Sequence, residues 1–265
     1  MNGGNAMGTA VHNGALWGAK ARDWTELQEP NHTPLWQKML EAAGVGESTN
    51  LLDVACGGGN LAELARRRGA TVTGIDASQA LVELAATRVE GTFLAGDMEE
   101  LPFADGIFDV VLIANGLQYA ADRDRAAREL KRVVRRGGTT VVGMWSESNK
   151  CEMTSVFDAV KALVPPPPGT PAPLDLSERA VLLAILERAG FKIAADGEVD
   201  VPFVYANIQN YWIAMRSAGV MEGAAQRVGE ERLRASLLDA AKPYTQPDGR
   251  IIFHNKMRYG LRRST

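Results

Sequence analysis

The segment from residue 51 to 145 predicts an α/β fold built on a doubly wound, mostly parallel sheet. Two observations carry this: apolar runs alternate with amphipathic ones, and an acidic residue closes each of the first three apolar runs. Apolar strands separated by helices require a sheet covered on both faces. Residues 51–55 are the first strand, followed by the small-residue loop Cys56-Gly57-Gly58-Gly59 and a helix at 61–68 that Gly69 ends. The second strand, 70–75, runs into Asp76. Ser78 is placed to cap the next helix, 79–89, in which Leu81, Leu84, Ala85 and Arg88 fall at helical spacing. A third strand at 92–95 meets Gly96-Asp97. Asp105-Gly106 marks a turn before the fourth and most apolar strand, 108–114. A helix is expected over 122–135, with Ala126, Ala127, Leu130, Val133 and Val134 on one face. Gly137-Gly138 then leads to a fifth strand at 139–144.

Outside this core the pattern changes. Residues 1–48 are expected to hold two short helices carrying Trp17, Trp24 and Trp36, forming part of a cap over a cofactor-binding core at 49–147. The stretch 148–205 contains a helix at 152–163, a proline loop, a helix at 178–189 stopped by Gly190, and a strand-like run at 192–205. Six of the twelve prolines lie between Pro165 and Pro173, so that loop is expected to be extended. Residues 206–245 contain a helical lid insertion read as two helices over 208–238. Residues 246–265 hold a final antiparallel strand, expected over 250–262 after the Asp248-Gly249 turn.

Composition narrows the function classes. A chain of 265 residues has ample core for one large domain or a domain with a lid. Its net charge of −3 offers no general field for nucleic acid, and the seven basic residues within 123–136 alternate with Asp124 and Glu129 as on a solvated helix face. Residues 1–14 lack the basic start and apolar run of a secretory signal, and no segment approaches ~18 consecutive apolar residues. Cys56 and Cys151 provide neither a disulfide framework nor a metal spacing, and His12, His32 and His254 are widely scattered. The expectation is a cytoplasmic protein without a metal centre.

The glycine loop and the three acids carry the chemistry. Small residues at 55–59 let a ligand approach the backbone closely. Asp53, Asp76 and Asp97 would all lie at the carboxyl edge of the sheet, where ligands of doubly wound folds bind. Asp76 follows Asp53 by 23 residues, one helix and a return, and is placed to accept hydrogen bonds from ribose hydroxyls. Asp97 would stand next to a base, with Met98 and Leu117 packing the ring. Each acid taken alone could also be a turn former or helix cap. Gly57-x-Gly59-x-x-Ala62 satisfies the loose dinucleotide pattern as well. However, Asp53 would place negative charge near a pyrophosphate, whereas it suits a cationic ligand. Asp97 would be a further acid with no task there, and no tyrosine is followed four residues later by lysine.

These residues resemble the class I S-adenosylmethionine-dependent methyltransferases, especially those similar to the ubiquinone/menaquinone-biosynthesis enzymes. The matching pieces are Leu52-Asp53-Val54-Ala55-Cys56-Gly57-Gly58-Gly59, Val72-Thr73-Gly74-Ile75-Asp76-Ala77-Ser78, Gly96-Asp97-Met98-Glu99-Glu100-Leu101-Pro102-Phe103 and Phe108-Asp109-Val110-Val111, in that order. Ala55 departs from the glycine usual at its position. The resemblance implies a seven-stranded sheet with its last strand antiparallel, a Rossmann-like methyltransferase fold, and S-adenosyl-L-methionine as cofactor. It implies that Ala55, Gly57 and Gly59 hold the methionine portion, Asp76 the ribose, and Asp97 with Met98 the adenine. Asn115 and Gln118 would line the space between cofactor and acceptor. Asp53, Cys56, Ala77 and Gly116 complete the expected cofactor set, and Trp17 and Trp24 either fold over the methionine end or belong to the core.

Methyl transfer is an in-line displacement, helped most by holding the reactants at near-attack distance. No general base stands out; outside the carboxylates the candidates are His12, His32, His254, Tyr119, Tyr205 and Tyr211, with His12, Tyr119 and His254 put first. Trp145, Tyr205, Tyr211, Trp212 and Met215 are suited to walling an apolar or aromatic acceptor, or else pack the lid on the sheet. The expected partner is a small molecule, not nucleic acid or a membrane, with the chain acting as a monomer or homodimer. An alternative keeps the cofactor pocket but couples it to a non-methylating reaction such as cyclisation.

Overall fold

The computed structural model describes residues 9–165 and 173–264. Residues 1–8 and most of the proline loop therefore lie outside the described residues. Nine strands run along the described chain: β1 (Asn50–Val54), β2 (Thr71–Asp76), β3 (Thr92–Ala95), β4 (Phe108–Ala114), β5 (Val134–Trp145), β6 (Lys192–Asp200), β7 (Phe203–Tyr205), β8 (Ile251–Phe253) and β9 (Lys256–Arg263). Seven of them form one sheet in the order β3-β2-β1-β4-β5-β9-β6, with β9 antiparallel to β5 and β6. This is a doubly wound, mostly parallel α/β fold. Strand order reverses between β1 and β4, so the loops leaving these neighbours part in opposite directions and open a crevice at their carboxyl ends.

The period-two alternation along each strand sorts the core onto two faces. Leu51, Val110, Leu112 and Val141 join one apolar cluster, while Leu52, Val54, Val111, Ile113 and Val142 join the other. The second face is covered by helix α6 (Arg123–Val133), which buries Ala126, Ala127, Leu130 and Val133. The first is covered by α3 (Thr33–Ala42) and α4 (Asn60–Arg66) and runs without a break into the cap helices α9 (Ile208–Arg216), α10 (Gly219–Val228) and α11 (Glu230–Ala241). The cap thus shares a core with the sheet, each fully buried aliphatic side chain contributing about 1.5–3 kcal/mol.

Several boundaries differ from the sequence expectation, each for a local reason. The helix expected over 122–135 ends at Val133, because Val134 already pairs with Phe108 at the start of β5. The run 192–205 is not one strand. Pro202, which has no N–H to donate, separates β6 in the main sheet from β7, which pairs with β8 in a small second sheet. The expected final strand divides likewise, at Asn255. Its buried side chain donates to the Val201 and Phe253 carbonyls and accepts from the Met153 amide, which draws the chain away from β8 before β9 begins. The lid has three helices rather than two. The N-terminal region is also more elaborate than two short helices: α1 (Ala10–Gly18), the single turn α2 (Ala21–Asp23), a π-helical turn Trp24–Gln28 and a 3-10 turn Glu29–His32 precede α3. Elsewhere the capping reasoning is realised, since the Ser78 hydroxyl accepts from the Leu81 amide and so opens α5 (Gln79–Arg88).

Candidate active site

A single large cavity among the described residues occupies the crevice, with the sheet edge as its floor and the N-terminal segment and lid as its roof. The floor is made by strand ends. Asp53 projects from β1 and is 2% exposed; its Oδ2 has no hydrogen-bond partner. Asp76 ends β2 and accepts from the Gly57 amide at 3.0 Å and the Ser78 amide at 2.9 Å. Asp97 follows β3 and accepts from the Glu99 amide at 2.8 Å. Burial raises the pKa of Asp53 well above the ordinary carboxylate value, with the Glu29 and Asp76 charges adding to the effect. Burial also raises Asp76, against the opposing pull of its amide donors.

The loop between β1 and α4 has the shape its small residues permit. Ala55 adopts φ +59°, a left-handed conformation in which a side chain is strained, so the glycine-for-alanine difference falls at a position that glycine would occupy at lower cost. A side chain at Gly58 would collide with Thr25, and one at Gly57 with the Glu29 carboxylate. Gly59 does not line the cavity. Its missing side chain instead admits Ala85 of α5, so its contribution is close packing beneath the loop.

The roof carries Trp24 and His32, which the sequence singles out, and Gln28, Glu29 and Trp36, which it does not assign to the site. Trp24, Gln28, Glu29, His32 and Trp36 all face the cavity. Their spacings of four, five, eight and twelve residues from Trp24 fit one continuous helical stripe, which the wide π-turn keeps in phase. That stripe was visible in the sequence, but its mixture of polar and apolar residues conceals it from a search for apolar periodicity. Glu29, 3% exposed, accepts from the Gly58 amide at 2.7 Å and the Asn60 side-chain amide at 2.6 Å. Burial raises its pKa to about 7 despite these donors. His32 is 5% exposed, and its Nδ1 lies 3.2 Å from the Glu29 carbonyl oxygen. It stacks on Trp36 and meets the edge of Phe203, and burial lowers its pKa to about 4, so the ring is neutral at pH 7.

The structure brings together Trp17, Trp24, Asp53, Ala55, Cys56, Gly57, Asp76, Ala77, Asp97, Met98, Asn115, Gly116 and Gln118 around one cavity. Trp17 packs edge-on against both Trp24 and Tyr119, and Asn13 and Thr9 donate to the Tyr119 carbonyl, which seats α1 over the crevice. Of the acceptor-side residues, Trp145 and Met215 line the cavity. Tyr205, Tyr211 and Trp212 do not. The Tyr205 hydroxyl donates to Gln28 and the Tyr211 hydroxyl to the Leu237 carbonyl, so both support the wall from behind, and Trp212 packs in the same core. Tyr119 reaches the cavity, with burial raising its pKa to about 12. His12, on α1, and His254, in the break between β8 and β9, are exposed and outside it. Asn115, at φ +52°, and Gln118 each present a buried side-chain oxygen without a partner. Among the described residues no cluster of His, Cys, Asp or Glu could hold a metal ion, and no helix is long and apolar enough to cross a membrane.

Comparison with known proteins agrees with this geometry. Residues 52–142 match the family described as "Methyltransferase domain". That segment is a methyltransferase domain. An uncharacterized protein of Mycobacterium tuberculosis is 37% identical over 137 residues, covering 50% of this chain and 49% of its own. The demethylmenaquinone methyltransferase of Thermotoga maritima is 39% identical over 95 residues, covering 35% of this chain and 42% of the enzyme. The chain spans about half the length of the curated relatives it matches. Among solved structures, the [4+2]-cyclase SpnF superposes with a TM-score of 0.55 at 25% identity, covering 87% of this chain and 80% of that one. The methyltransferase domain ends within β5, so the roof, including Glu29, His32 and the lid, lies outside the matched segment.

Proposed function

We propose that this protein transfers a methyl group from S-adenosyl-L-methionine to an oxygen, nitrogen or carbon atom of a small apolar or aromatic biosynthetic metabolite. The observation that carries the reading is the charge of the floor. Asp53, Asp76, Asp97 and Glu99 line the crevice from the floor, and a fifth acid, Glu29, descends from the roof. Among the described residues lining the cavity there is no lysine or arginine. Such a site suits a cation and repels a pyrophosphate. The unpartnered oxygens of Asp53, Asn115 and Gln118 are acceptors waiting for donors, as an ammonium and ribose or base N–H and O–H groups are.

In this reading Ala55, Cys56 and Gly57 hold the methionine portion, Asp76 and Ala77 the ribose, and Asp97 with Met98 the adenine. The bound cofactor supplies an electrophilic methyl carbon next to a positive sulfur. Trp145, Phe157, Phe203, Met153, Met215 and Met221 wall the acceptor side and exclude water. Their job is to hold an apolar acceptor within near-attack distance, which supplies most of the rate gain. Where the nucleophile must lose a proton, His32 in the cavity wall is the candidate acceptor, a weak base because burial lowers its pKa to about 4. Tyr119, held protonated, serves as a hydrogen-bond donor rather than a base. Two buried thiols, Cys56 and Cys151, suit a reducing cytoplasmic setting, and we propose a monomer or homodimer acting on small molecules.

The likeness to a cyclase favours a second reading, in which the same cavity folds an apolar substrate and no methyl group moves. Incubation with methyl-labelled S-adenosylmethionine and a panel of aromatic and apolar acceptors separates the two. Label recovered in the product is the expected result; product formed without label selects the second reading.

A further inference from the structure

Where the roof meets the floor at the glycine loop, the contact is charged in a way that neither half explains alone. Glu29 comes from the 3-10 turn after the π-helix and rests on the glycine loop through the Gly58 amide and the Asn60 side chain. Facing it from the floor are Asp53 on β1 and Asp76 on β2, both close enough for their charges to act on one another. Cys56, also buried, lies in the loop itself. The Arg88 guanidinium is on the far side of that loop, donating to the Gly58 carbonyl and to the Asn60 side chain rather than reaching into the cavity. His32, on the roof, is neutral. Burying a carboxylate against two others is costly unless a cation joins them. Asp53 Oδ2, fully enclosed and without a partner, marks where that cation would sit.

We propose that Glu29, together with Asp53, receives the ammonium group of the cofactor's amino-acid tail, so that cofactor binding locks the N-terminal segment onto the glycine loop. This assignment rests on the S-adenosylmethionine reading above and adds a specificity residue from outside the matched methyltransferase domain. In the free protein burial raises the pKa of Glu29 to about 7, so this carboxyl retains a proton on the acid side of neutrality. An arriving ammonium displaces it, so binding releases a proton, and affinity rises with pH until Glu29 is ionised. A nucleoside without the amino-acid tail gains nothing from Glu29.

The test is calorimetric titration of the full chain with S-adenosylhomocysteine and with 5′-methylthioadenosine, in two buffers of different ionisation enthalpy, between pH 6 and 8. For the wild-type protein, S-adenosylhomocysteine is expected to release a proton below pH 7 and to bind several-fold more tightly at pH 8 than at pH 6, whereas 5′-methylthioadenosine does neither. Glu29→Gln, close in shape and still able to accept from Gly58, is expected to weaken S-adenosylhomocysteine at pH 8 at least tenfold and to leave 5′-methylthioadenosine within about twofold. Equal weakening of both nucleosides, or no proton release by the wild-type protein, overturns the assignment while leaving the cofactor reading intact. Failure of the wild-type protein to bind either nucleoside overturns both. The proton measurement needs no variant, so a folding defect in Glu29→Gln does not leave the question open.

Discussion

The two walls of the cavity were built in different ways. The floor is set by short-range sequence: Asp53 is the penultimate residue of β1, Asp76 ends β2, Asp97 follows β3, and the sheet brings the three together. The roof is set by helical phase across a π-turn, which places Gln28, Glu29 and His32 beside Trp24 although no two of them form a recognisable motif. The floor lies in the methyltransferase domain and the roof does not. On the proposed reading the floor holds the nucleoside part of the cofactor, while the roof supplies Glu29 for its amino-acid tail and part of the wall that meets the acceptor.

The sharpest contrast within the roof is between Glu29 and His32, buried side by side with opposite shifts. Between about pH 4.5 and 7 the unfolded chain has lost a Glu29 proton that the folded chain retains, so this residue lowers stability as pH rises. Between about pH 4 and 6.5 the unfolded chain carries a His32 proton that the folded chain refuses, so this residue raises stability as pH rises. Relative to wild type, Glu29→Gln is expected to gain about 3 kcal/mol of stability over the first window and His32→Asn to lose a similar amount over the second. Urea unfolding at half-unit pH steps measures both; two differences that stay flat would show that the paired burial has been misjudged.

On the floor, Asp76→Ala tests the strand-end acids. Loss of charged acceptors for two ribose hydroxyls is expected to weaken S-adenosylhomocysteine about 100-fold while unfolding remains cooperative. Unchanged affinity by calorimetry would move the ribose elsewhere. The seam between the walls gives the smallest effect. Gly58→Ala drives a methyl group into Thr25 and is expected to cost about 1–3 kcal/mol in thermal unfolding. Gly46→Ala, with nothing within 4 Å of the new atom, is expected to change little. Equal effects at the two glycines would mean the roof does not press on the loop.

What could be read from the sequence follows the same division. The order of strands and helices from Asn50 to Trp145 and the positions of Asp53, Asp76 and Asp97 were legible because hydrophobic period, caps and turns act locally. The breaks at Pro202 and Asn255 were less so. Asn255 interrupts a strand through bonds to Val201 and Met153, distant in sequence. Tyr205, Tyr211 and Trp212 looked like pocket residues by type, yet Tyr205 meets the cavity residue Gln28 from behind, and Tyr211 and Trp212 pack in the core. Residue type says what a side chain can do; only the packing of the lid decides which way it faces.

The most direct test of the central claim is a crystal structure of the protein soaked in S-adenosylhomocysteine. The expected result places the adenine against Asp97 and Met98, the ribose hydroxyls on Asp76, and the amino-acid tail between Asp53 and Glu29. An empty crevice under saturating ligand, or the same crevice filled by a nicotinamide dinucleotide instead, would contradict it.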